Sequence, residues 1–426
     1  MNPASKEDLE VILADRRYEL ISRLLEKTVT RGENRWTLSD LLDKALLDKY
    51  VGIPIFLAIA WAMFQFTYLV STPFMDMIHI FFVWLSEYAA LIPNELLASF
   101  IGKGLIGGVG FILAFVAPIS FLFFCIALLE DSGYLARAAF VMDRIMFKLG
   151  LHGRSFIPML LGFGCNIPAV MATRSIEGEK DRMITILVNP FISCSARLPI
   201  YVLFAGALLG AYVGSAIWSM YILGILVAIL SALLFRKTLF KGEPAPFILE
   251  LPTFRRPTLK AAAIHMWDRT SIFLRKVFTY LLTGAIALWV LSTFPWGADV
   301  ENSYAGMIGH TLEPIFQPLG FGWRGAVAFI FGFMAKEVIV ETFGILYAVE
   351  GKTAISAAIA HSMTPLSGFA FMAFSLLYIP CLAMVATIRK ETGSWKWTGF
   401  TVLYGVVVAY LVAAIIVGLG KLLGLA

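Results

Sequence analysis

Hydrophobic residues occur along the chain in long runs, unlike the alternating or one-sided patterns of soluble proteins. Seven runs approach or exceed the roughly 20 residues that a helix needs to cross a bilayer, namely 51–70, 105–129, 183–213, 215–235, 277–295, 367–388 and 399–424. Two more, 155–172 (hairpin 1) and 325–347 (hairpin 2), are interrupted by polar residues and helix breakers. Irregular backbone at membrane depth is tolerated only where protein or water covers it. The pattern therefore predicts two re-entrant hairpins that line a cavity.

Composition agrees with a membrane location. Of the 426 residues, 59% are hydrophobic and 15% charged, and the mean hydropathy is +0.81. These values lie outside the range of soluble domains, so we expect an all-α polytopic membrane protein in contact with lipid. The first 50 residues are charged and have no short apolar core near Met1, which argues against a cleaved signal peptide.

Lysine and arginine predict the orientation. With residues 1–50 in the cytoplasm, the inside loops 130–154, 173–182, 236–276 and 389–398 hold 4, 3, 9 and 3 of these residues, and the outside loops hold three in all. Short basic loops stay in the cytoplasm. We therefore expect a cytoplasmic N-terminus in the cytoplasmic (inner) membrane of a prokaryote. The net charge of +5 follows from this topology and does not indicate nucleic-acid binding.

The chain repeats itself with inverted orientation. Residues 142–171 match 312–341 at seven of thirty positions without a gap, and "ISCSA" at 192–196 matches "IPCLA" at 379–383. Three predicted spans separate the two hairpins, and an odd number turns the second copy upside down. An inverted repeat with a broken segment in each half is typical of secondary transporters, whose binding site lies at the repeat interface.

The repeat predicts a division of the chain. Its parts are 1–50, the cytoplasmic charged tether helices; 51–104, a first span and outer amphipathic segment; 105–235, repeat 1 with hairpin 155–172; 236–276, a basic cytoplasmic loop; 277–388, repeat 2 with hairpin 325–347; and 389–426, a C-terminal span.

Three of the four cysteines lie next to predicted helix breaks. Cys165 is at the tip of hairpin 1, Cys194 lies between two prolines, and Cys381 follows Pro380. Carbonyls without helical hydrogen bonds and thiols can coordinate a metal there. Cys125 has no polar neighbour, and we interpret it as a small buried hydrophobic residue. The alternative is that all four pack as small hydrophobes. The spacing fits neither a zinc motif nor a disulfide framework. We expect supporting or gating roles for Gly162, Gly164, Asn166, Pro168, Pro190, Ser193, Ser195, Lys336 and Pro380.

Hairpin 2 places charges in apolar surroundings, in the stretch "FGFMAKEVIVETFG". Each costs about 2.5–3.5 kcal/mol to insert, which makes a function the default. On one helix Met334, Glu337 and Glu341 would share a face. With the thiols opposite, they would form a mixed soft and hard ligand set that suits Fe(II), Mn(II) or Zn(II) better than Mg or Ca. The alternative for Lys336 is a pair with Glu337 that only locks the hairpin.

The motifs "LLGFGCNIPAVMATR", "EKDRMITILVNPFISCSARLPIYVLF" and "GFMAKEVIVETFG" resemble the membrane domain of the prokaryotic ferrous iron permease, the FeoB family. The likeness runs from about Asp15 to the C-terminus. It implies a nucleoside-transporter-like gate fold, with Cys165 and Cys194 on the iron path and an AKE motif at Lys336 and Glu337. Relatives usually have glycine where Glu341 stands, so its role follows from the residues alone.

FeoB proteins resemble a fusion of a GTPase domain to this permease, and the GTPase motifs are missing here. "GKT" at 351–353 lacks the glycine that a phosphate-binding loop requires five residues earlier. We therefore expect no bound nucleotide in this chain and a GTPase acting in trans or lost as a fusion domain. The resemblance also implies a small cytoplasmic accessory protein and a homo-oligomer. The segment 1–50 resembles the tether to the GTPase.

Three functions remain open. The first is an Fe²⁺ permease, in which iron is the transported substrate and passes from an outer vestibule at Asp299, Glu301 and Glu313, with His310 able to help, to Cys165, Cys194, Met334, Glu337 and Cys381. The second is a transporter of nucleosides or other organic solutes, against which the soft thiols argue. The third is an enzyme, a thiol oxidoreductase or a GTPase, which the missing motifs argue against.

Overall fold

The structure is a computed structural model that describes residues 6–28, 38–48, 51–148, 151, 153–241, 253–296, 300–349 and 351–424. This part of the chain is helical and contains no strand, which confirms the predicted all-α class. Contacts divide the chain into two compact units, Met1–Leu46 and Leu47–Ala426.

The smaller unit holds two helices, α1 (Lys6–Thr28) and α2 (Leu38–Leu46). Parts of the predicted tether, at 1–5, 29–37 and 49–50, lie outside the described residues. Within α1, Glu19 forms ion pairs with Arg16 and Arg23, about one turn away on either side. Such pairs each add about 0.2–0.5 kcal/mol to an exposed helix, so the surface charges of α1 support its own formation.

The larger unit begins with long apolar helices. α3 (Gly52–Ala89) precedes α4 (Glu95–Ser99), a π-helical stretch at Phe100–Ile106 and α5 (Gly107–Asp131). α3 continues past the predicted span 51–70 because apolar residues recur as far as Leu85. At 1.5 Å per residue its length is ~57 Å, which exceeds the ~30 Å hydrocarbon core. One end of α3 therefore extends beyond the hydrocarbon.

The segment predicted as hairpin 1 consists of two short helices. After α6 (Tyr134–Lys148), the helices α7 (Phe156–Gly164) and α8 (Asn166–Ala172) pack against each other. Cys165 between them is extended, with φ −151° and ψ 126°. The helix is thus interrupted at the cysteine.

The predicted span 183–213 is not one helix. α9 (Glu179–Val188) and α10 (Leu198–Leu208) are separated by residues 189–197, here called break 1. Proline removes a helical donor; Pro190 lies within the break and Pro199 opens α10, where a donor is not needed. The following helix, α11 (Val213–Thr238), confirms the span predicted at 215–235.

The second half has the same order of elements. α12 (Leu259–Thr293) starts inside the loop predicted at 236–276, of which 242–252 lie outside the described residues. The remaining helices are α13 (Tyr304–Phe316), α14 (Gly322–Gly332), α15 (Val338–Leu346), α16 (Lys352–Ser362), α17 (Pro365–Leu377), α18 (Leu382–Thr392) and α19 (Trp395–Leu422). α14 and α15 pack together as hairpin 2, with tip 2 at residues 333–337. The predicted span 367–388 is interrupted at 378–381, here called break 2, and α19 confirms the span at 399–424.

Six described helical segments could cross a membrane by length and composition: Gly52–Ala89, Glu95–Asp131, Glu179–Leu208, Val213–Thr238, Pro365–Thr392 and Trp395–Leu422. The apolar stretch Leu282–Thr293 of α12 is shorter. Two of the six contain break 1 and break 2. Both breaks thus occur inside segments of membrane-spanning length.

Helices of the two repeats contact each other in two places. α5 packs along α12, and α10 contacts α17. Between α10 and α17, the ring of Phe371 stacks on Phe204 and Phe329, each with 4.4 Å between centroids. This aromatic packing excludes water and fixes the relative position of the repeats where the hairpins and breaks come together.

Candidate functional site

Three cysteines lie at extended residues in helix interruptions. Cys194 (φ −79°, ψ 162°) belongs to break 1, Cys381 (φ −58°, ψ 153°) to break 2, and Cys165 separates the helices of hairpin 1. All three are partly buried, whereas Cys125 is buried within α5, where the Thr67 hydroxyl lies 3.9 Å from its sulfur. The predicted distinction between Cys125 and the other thiols therefore holds in the backbone.

Two thiols and one carboxylate, drawn from both repeats, lie within electrostatic range of Cys165. Cys165 interacts electrostatically with Cys194, Cys381 and Glu337. Glu337 comes from tip 2 and is 8% exposed. Among the described residues, however, no group of three or more His, Cys, Asp or Glu side chains is arranged closely enough to hold a metal ion. The cluster is thus a set of neighbouring ligands without a closed coordination shell.

Met334 and Glu341 are not brought to this cluster in the way that the sequence predicts. The helix stops at Gly332 and resumes at Val338, so Met334, Glu337 and Glu341 share no helical face. Met334 packs on Gly284 of α12, where a Cβ would lie 2.5 Å from its sulfur. Glu341 is exposed on α15. The prediction of a common face is wrong because it assumed one continuous helix.

Each hairpin tip is hydrogen-bonded to the break of its own repeat. In repeat 1, Asn166 Nδ2 donates to the Ile192 carbonyl at 3.2 Å, and Ser195 Oγ donates to the Gly164 carbonyl at 2.9 Å. In repeat 2, Lys336 Nζ donates to the Ile379 carbonyl at 2.6 Å. These polar side chains use carbonyls that the broken helices leave without helical partners.

The remaining predicted residues have packing or backbone roles here. Ser193 shares a hydrogen bond of 3.0 Å with the Tyr201 hydroxyl. A Cβ on Gly164 would meet Leu122 at 2.2 Å. Pro168 lies in the first turn of α8, where no helical donor is lost, and Pro380 lies in break 2. The glycine therefore allows hairpin 1 to approach α5, and the prolines shape the interruptions.

Two residues that the sequence reasoning missed lie in break 1. Arg197 is 1% exposed and donates to the carbonyls of Ile192 at 2.8 Å and Pro190 at 2.9 Å. Asn189 is fully buried, and neither its Oδ1 nor its Nδ2 has a hydrogen-bond partner in the described protein. An arginine and an asparagine within the apolar run "ILVNPFISCSARLP" were the available signal, since buried polar groups in membrane segments are costly.

Two amide oxygens converge beside hairpin 1. A Cβ on Gly162 would lie 2.7 Å from Asn189 Oδ1 and 3.0 Å from Asn166 Oδ1. Asn166 Oδ1 is also buried without a partner in the described protein. Glycine at 162 is therefore required by the close approach of break 1, and the approach brings two amide oxygen atoms to the same side of hairpin 1.

Charged clusters lie at α18 and at α13. Arg174 and Arg182 of repeat 1 both bind Glu391 at the end of α18, at 2.6 and 3.0 Å. Elsewhere, His310 lies 3.1 Å from Glu313 and 3.7 Å from Glu301. Of the predicted vestibule, Asp299 lies outside the described residues. The first cluster thus links the two repeats directly.

Two family models match the chain. The model "Gate: Nucleoside recognition" matches residues 112–208 and 274–395, more than half of the chain. The model "Ferrous iron transport protein B C terminus" matches residues 217–269. The first covers both hairpins and both breaks, and the second covers most of α11 and the start of α12.

Several relatives match almost the whole chain. The Fe(2+) transporter FeoB of Methanocaldococcus jannaschii is 45% identical over 437 residues, covering 99% of this chain and 65% of the relative. The Fe(2+) transporter FeoB of Campylobacter jejuni is 37% identical, and the match covers 95% of this chain and 69% of the relative. A Fe(2+) transport protein A/Fe(2+) transporter FeoB fusion protein of Porphyromonas gingivalis is 38% identical and covers 97% and 56%. The chain thus spans just under two thirds of the M. jannaschii relative. No solved structure matches it.

Proposed function

We propose, on the premise that this chain belongs to the FeoB family, that it forms the path by which Fe²⁺ crosses the membrane. The observation that carries the proposal is the convergence of Cys165, Cys194 and Cys381 with Glu337 at helix interruptions of both repeats. Relatives that share 45% of its residues bear the name Fe(2+) transporter. The chain is accordingly a transport protein, and iron is its substrate.

The ligand chemistry suits a borderline divalent cation. Thiols are soft ligands, the carboxylate is hard, and Fe²⁺ accepts both. A transported ion must also leave its site, so binding has to stay weak enough for release. A loose group of ligands that closes around iron only during passage meets this requirement better than a complete coordination shell.

The direction of transport follows from the basic loops. We infer that 173–182 and 389–398 face the cytoplasm, because they hold three basic residues each. Iron would then come from the side of Glu301, His310 and Glu313, pass the thiols and leave near Glu391. This orientation places residues 1–50 in the cytoplasm and the protein in the inner membrane of a prokaryote.

Opening of this path involves partners. We infer that a GTPase drives it, acting in trans or from a segment outside this sequence, since the chain spans 65% of the M. jannaschii relative. Fusion of transport protein A to the P. gingivalis relative supports a small accessory protein, and the exposed face of α3 is available to lipid or to a second copy.

An organic solute is the competing substrate. The family model that covers the hairpins is described as nucleoside recognition, and Asn166 and Asn189 offer amide groups. A nucleoside site would depend on these amides and not on thiols. Uridine therefore belongs in any transport assay as a comparator.

The decisive experiment is anaerobic flux of Fe²⁺ into liposomes that contain the full chain, with Mn²⁺, Zn²⁺ and uridine as comparators. We expect saturable Fe²⁺ flux that falls at least ~10-fold in Cys194→Ser, because the substitution removes a thiol ligand of the metal. Cys125→Ser is the matched control and should keep the flux. Equal tolerance of both substitutions would exclude a thiol-lined path, and uridine flux alone would favour the competing substrate.

A further inference from the structure

In each repeat, the hairpin tip is hydrogen-bonded to the break of the same repeat, and one of these bonds is equivalent in the two repeats. The ungapped match of 142–171 with 312–341 pairs Asn166 with Lys336, and "ISCSA" with "IPCLA" pairs Ile192 with Ile379. Asn166 donates to Ile192 at 3.2 Å, and Lys336 donates to Ile379 at 2.6 Å. The same position in the fold therefore holds a neutral amide in repeat 1 and an ammonium in repeat 2.

A second bond also joins break to hairpin in each repeat, but its acceptors are not equivalent, because the ungapped match pairs Gly164 with Met334 and not with Phe333. Ser195 Oγ donates to the Gly164 carbonyl, and Leu382, which the motif match pairs with Ser195, donates its backbone N–H to the Phe333 carbonyl at 2.9 Å. The correspondence of Asn166 and Lys336 therefore rests on the alignment and on the first pair of bonds.

The Lys336 ammonium lies where a metal cation could be held. It contacts the Ile379 carbonyl and lies over the Tyr378 ring, 3.2 Å from the centroid. The residue is 3% exposed, yet among the described residues it forms no ion pair, with Glu337 or any other carboxylate. Carbonyl oxygens and aromatic faces are groups that bind cations. This position is therefore a cation site filled by the chain's own side chain.

The filled site adjoins the thiol cluster. Lys336 interacts electrostatically with the Arg197 guanidinium of break 1 and with Cys381, Cys194 and Glu337. A divalent ion among those ligands would be repelled by the ammonium, and this repulsion is strong in surroundings of low polarity. In repeat 1 the corresponding residue, Asn166, carries no charge.

We propose that Lys336 is a tethered cation that keeps the thiol cluster closed to divalent metal, and that iron binds fully only when hairpin 2 withdraws the ammonium from break 2. This inference rests on the proposed function, because it assumes that metal passes the thiols. It assigns the closing element to the charge of one side chain and explains why the ligands are gathered without a closed shell.

The test measures how well metal protects the cysteines of the full chain in detergent under anaerobic conditions. Methanethiosulfonate labelling of Cys194 and Cys381 is followed by mass spectrometry at increasing Mn²⁺ or Fe²⁺, with Cys125 as the internal control. Lys336→Gln keeps a donor for Ile379 but removes the charge, so the half-protecting metal concentration should fall at least ~10-fold, which corresponds to ~1.4 kcal/mol. Lys336→Arg, which retains the charge, should not lower it.

The reciprocal variant Asn166→Lys adds an ammonium at the equivalent position and should raise the half-protecting concentration at least ~10-fold. A Lys336→Gln protein that needs as much metal as the unaltered chain, or more, would overturn the proposal, as would an Asn166→Lys protein that is unchanged. If metal protects neither the unaltered chain nor any variant, the proposed iron path itself fails. Protection that is insensitive to both substitutions would refute only the role of Lys336.

Discussion

The two repeats have helix interruptions at corresponding positions but carry different side chains there. At its tip and break, repeat 1 carries two cysteines, two amides and the buried Arg197, and repeat 2 carries Lys336, Glu337 and Cys381. Corresponding positions pair Asn166 with Lys336, Asn189 with Leu376 and Arg197 with Met384. The repeat therefore fixes where the helices are interrupted, whereas each half separately determines which side chains lie at the interruption.

Arg197→Met gives repeat 1 the residue that repeat 2 has at the corresponding position, and it should have the largest effect on stability. The carbonyls of Ile192 and Pro190 lose their donors, and each buried unsatisfied group costs about 1–3 kcal/mol. We expect a loss of about 2–5 kcal/mol, measured as a lower unfolding midpoint in detergent. Met384→Leu is the control in repeat 2 and should cost less than about 1.5 kcal/mol. Similar midpoints for the two variants would show that break 1 does not depend on Arg197.

Glycine-to-alanine changes at the equivalent positions 162 and 332 compare the packing of the two hairpins. A Cβ would meet Asn189 Oδ1 at 2.7 Å in the first and Ile339 at 2.4 Å in the second. We expect each to lose about 1–3 kcal/mol through overpacking, with Gly332→Ala the worse.

The control for this pair is Gly418→Ala in α19, where a Cβ would meet nothing within 4 Å. Higher helix propensity should leave it unchanged or stabilise it by up to about 1 kcal/mol. Thermal unfolding of the three variants decides the matter, and tolerance at both 162 and 332 would contradict the close approach of hairpins and breaks.

Asn189→Leu transfers the residue of repeat 2 into repeat 1. It removes a buried amide without partners in the described protein, so we expect stability to rise by about 1 kcal/mol. If the amide oxygen contributes to the path, Fe²⁺ flux should fall at the same time, by roughly tenfold for a supporting ligand. A variant that is both more stable and fully active would assign Asn189 to packing alone.

Glu391→Gln weakens the direct link between the repeats and should have the smallest effect. The amide can still bond to Arg174 or Arg182, but the charge that both arginines share is lost. Hydrogen bonds to charged groups contribute about 1.5–3 kcal/mol and neutral ones about 1 kcal/mol, so a loss of about 1 kcal/mol is expected. The difference from the unaltered chain should shrink at high salt, and Glu177→Gln, an exposed carboxylate paired with Arg154, provides the comparison.

Local pattern predicted the hairpins and the cysteines at interruptions because glycine and proline act on their immediate neighbours. It could not predict the partners of the freed carbonyls, since Arg197 and Lys336 reach them through tertiary contacts. The common face of Met334, Glu337 and Glu341 failed for a related reason. The spacing of residues that share a helical face holds only within one continuous helix. Met334 lies in tip 2, before α15 begins at Val338.

Ser195 and Leu382, which the motif match pairs, each donate a bond to the hairpin of their own repeat, and the two bonds are encoded differently. In repeat 1 the bond to Gly164 comes from the Ser195 side chain, and in repeat 2 the bond to Phe333 comes from the Leu382 main chain. Any residue except proline retains a backbone N–H, whereas few residues offer a hydroxyl at that place. Over evolutionary time, position 382 is consequently free to vary in side chain while its bond persists. Position 195 can lose its bond through a single codon change.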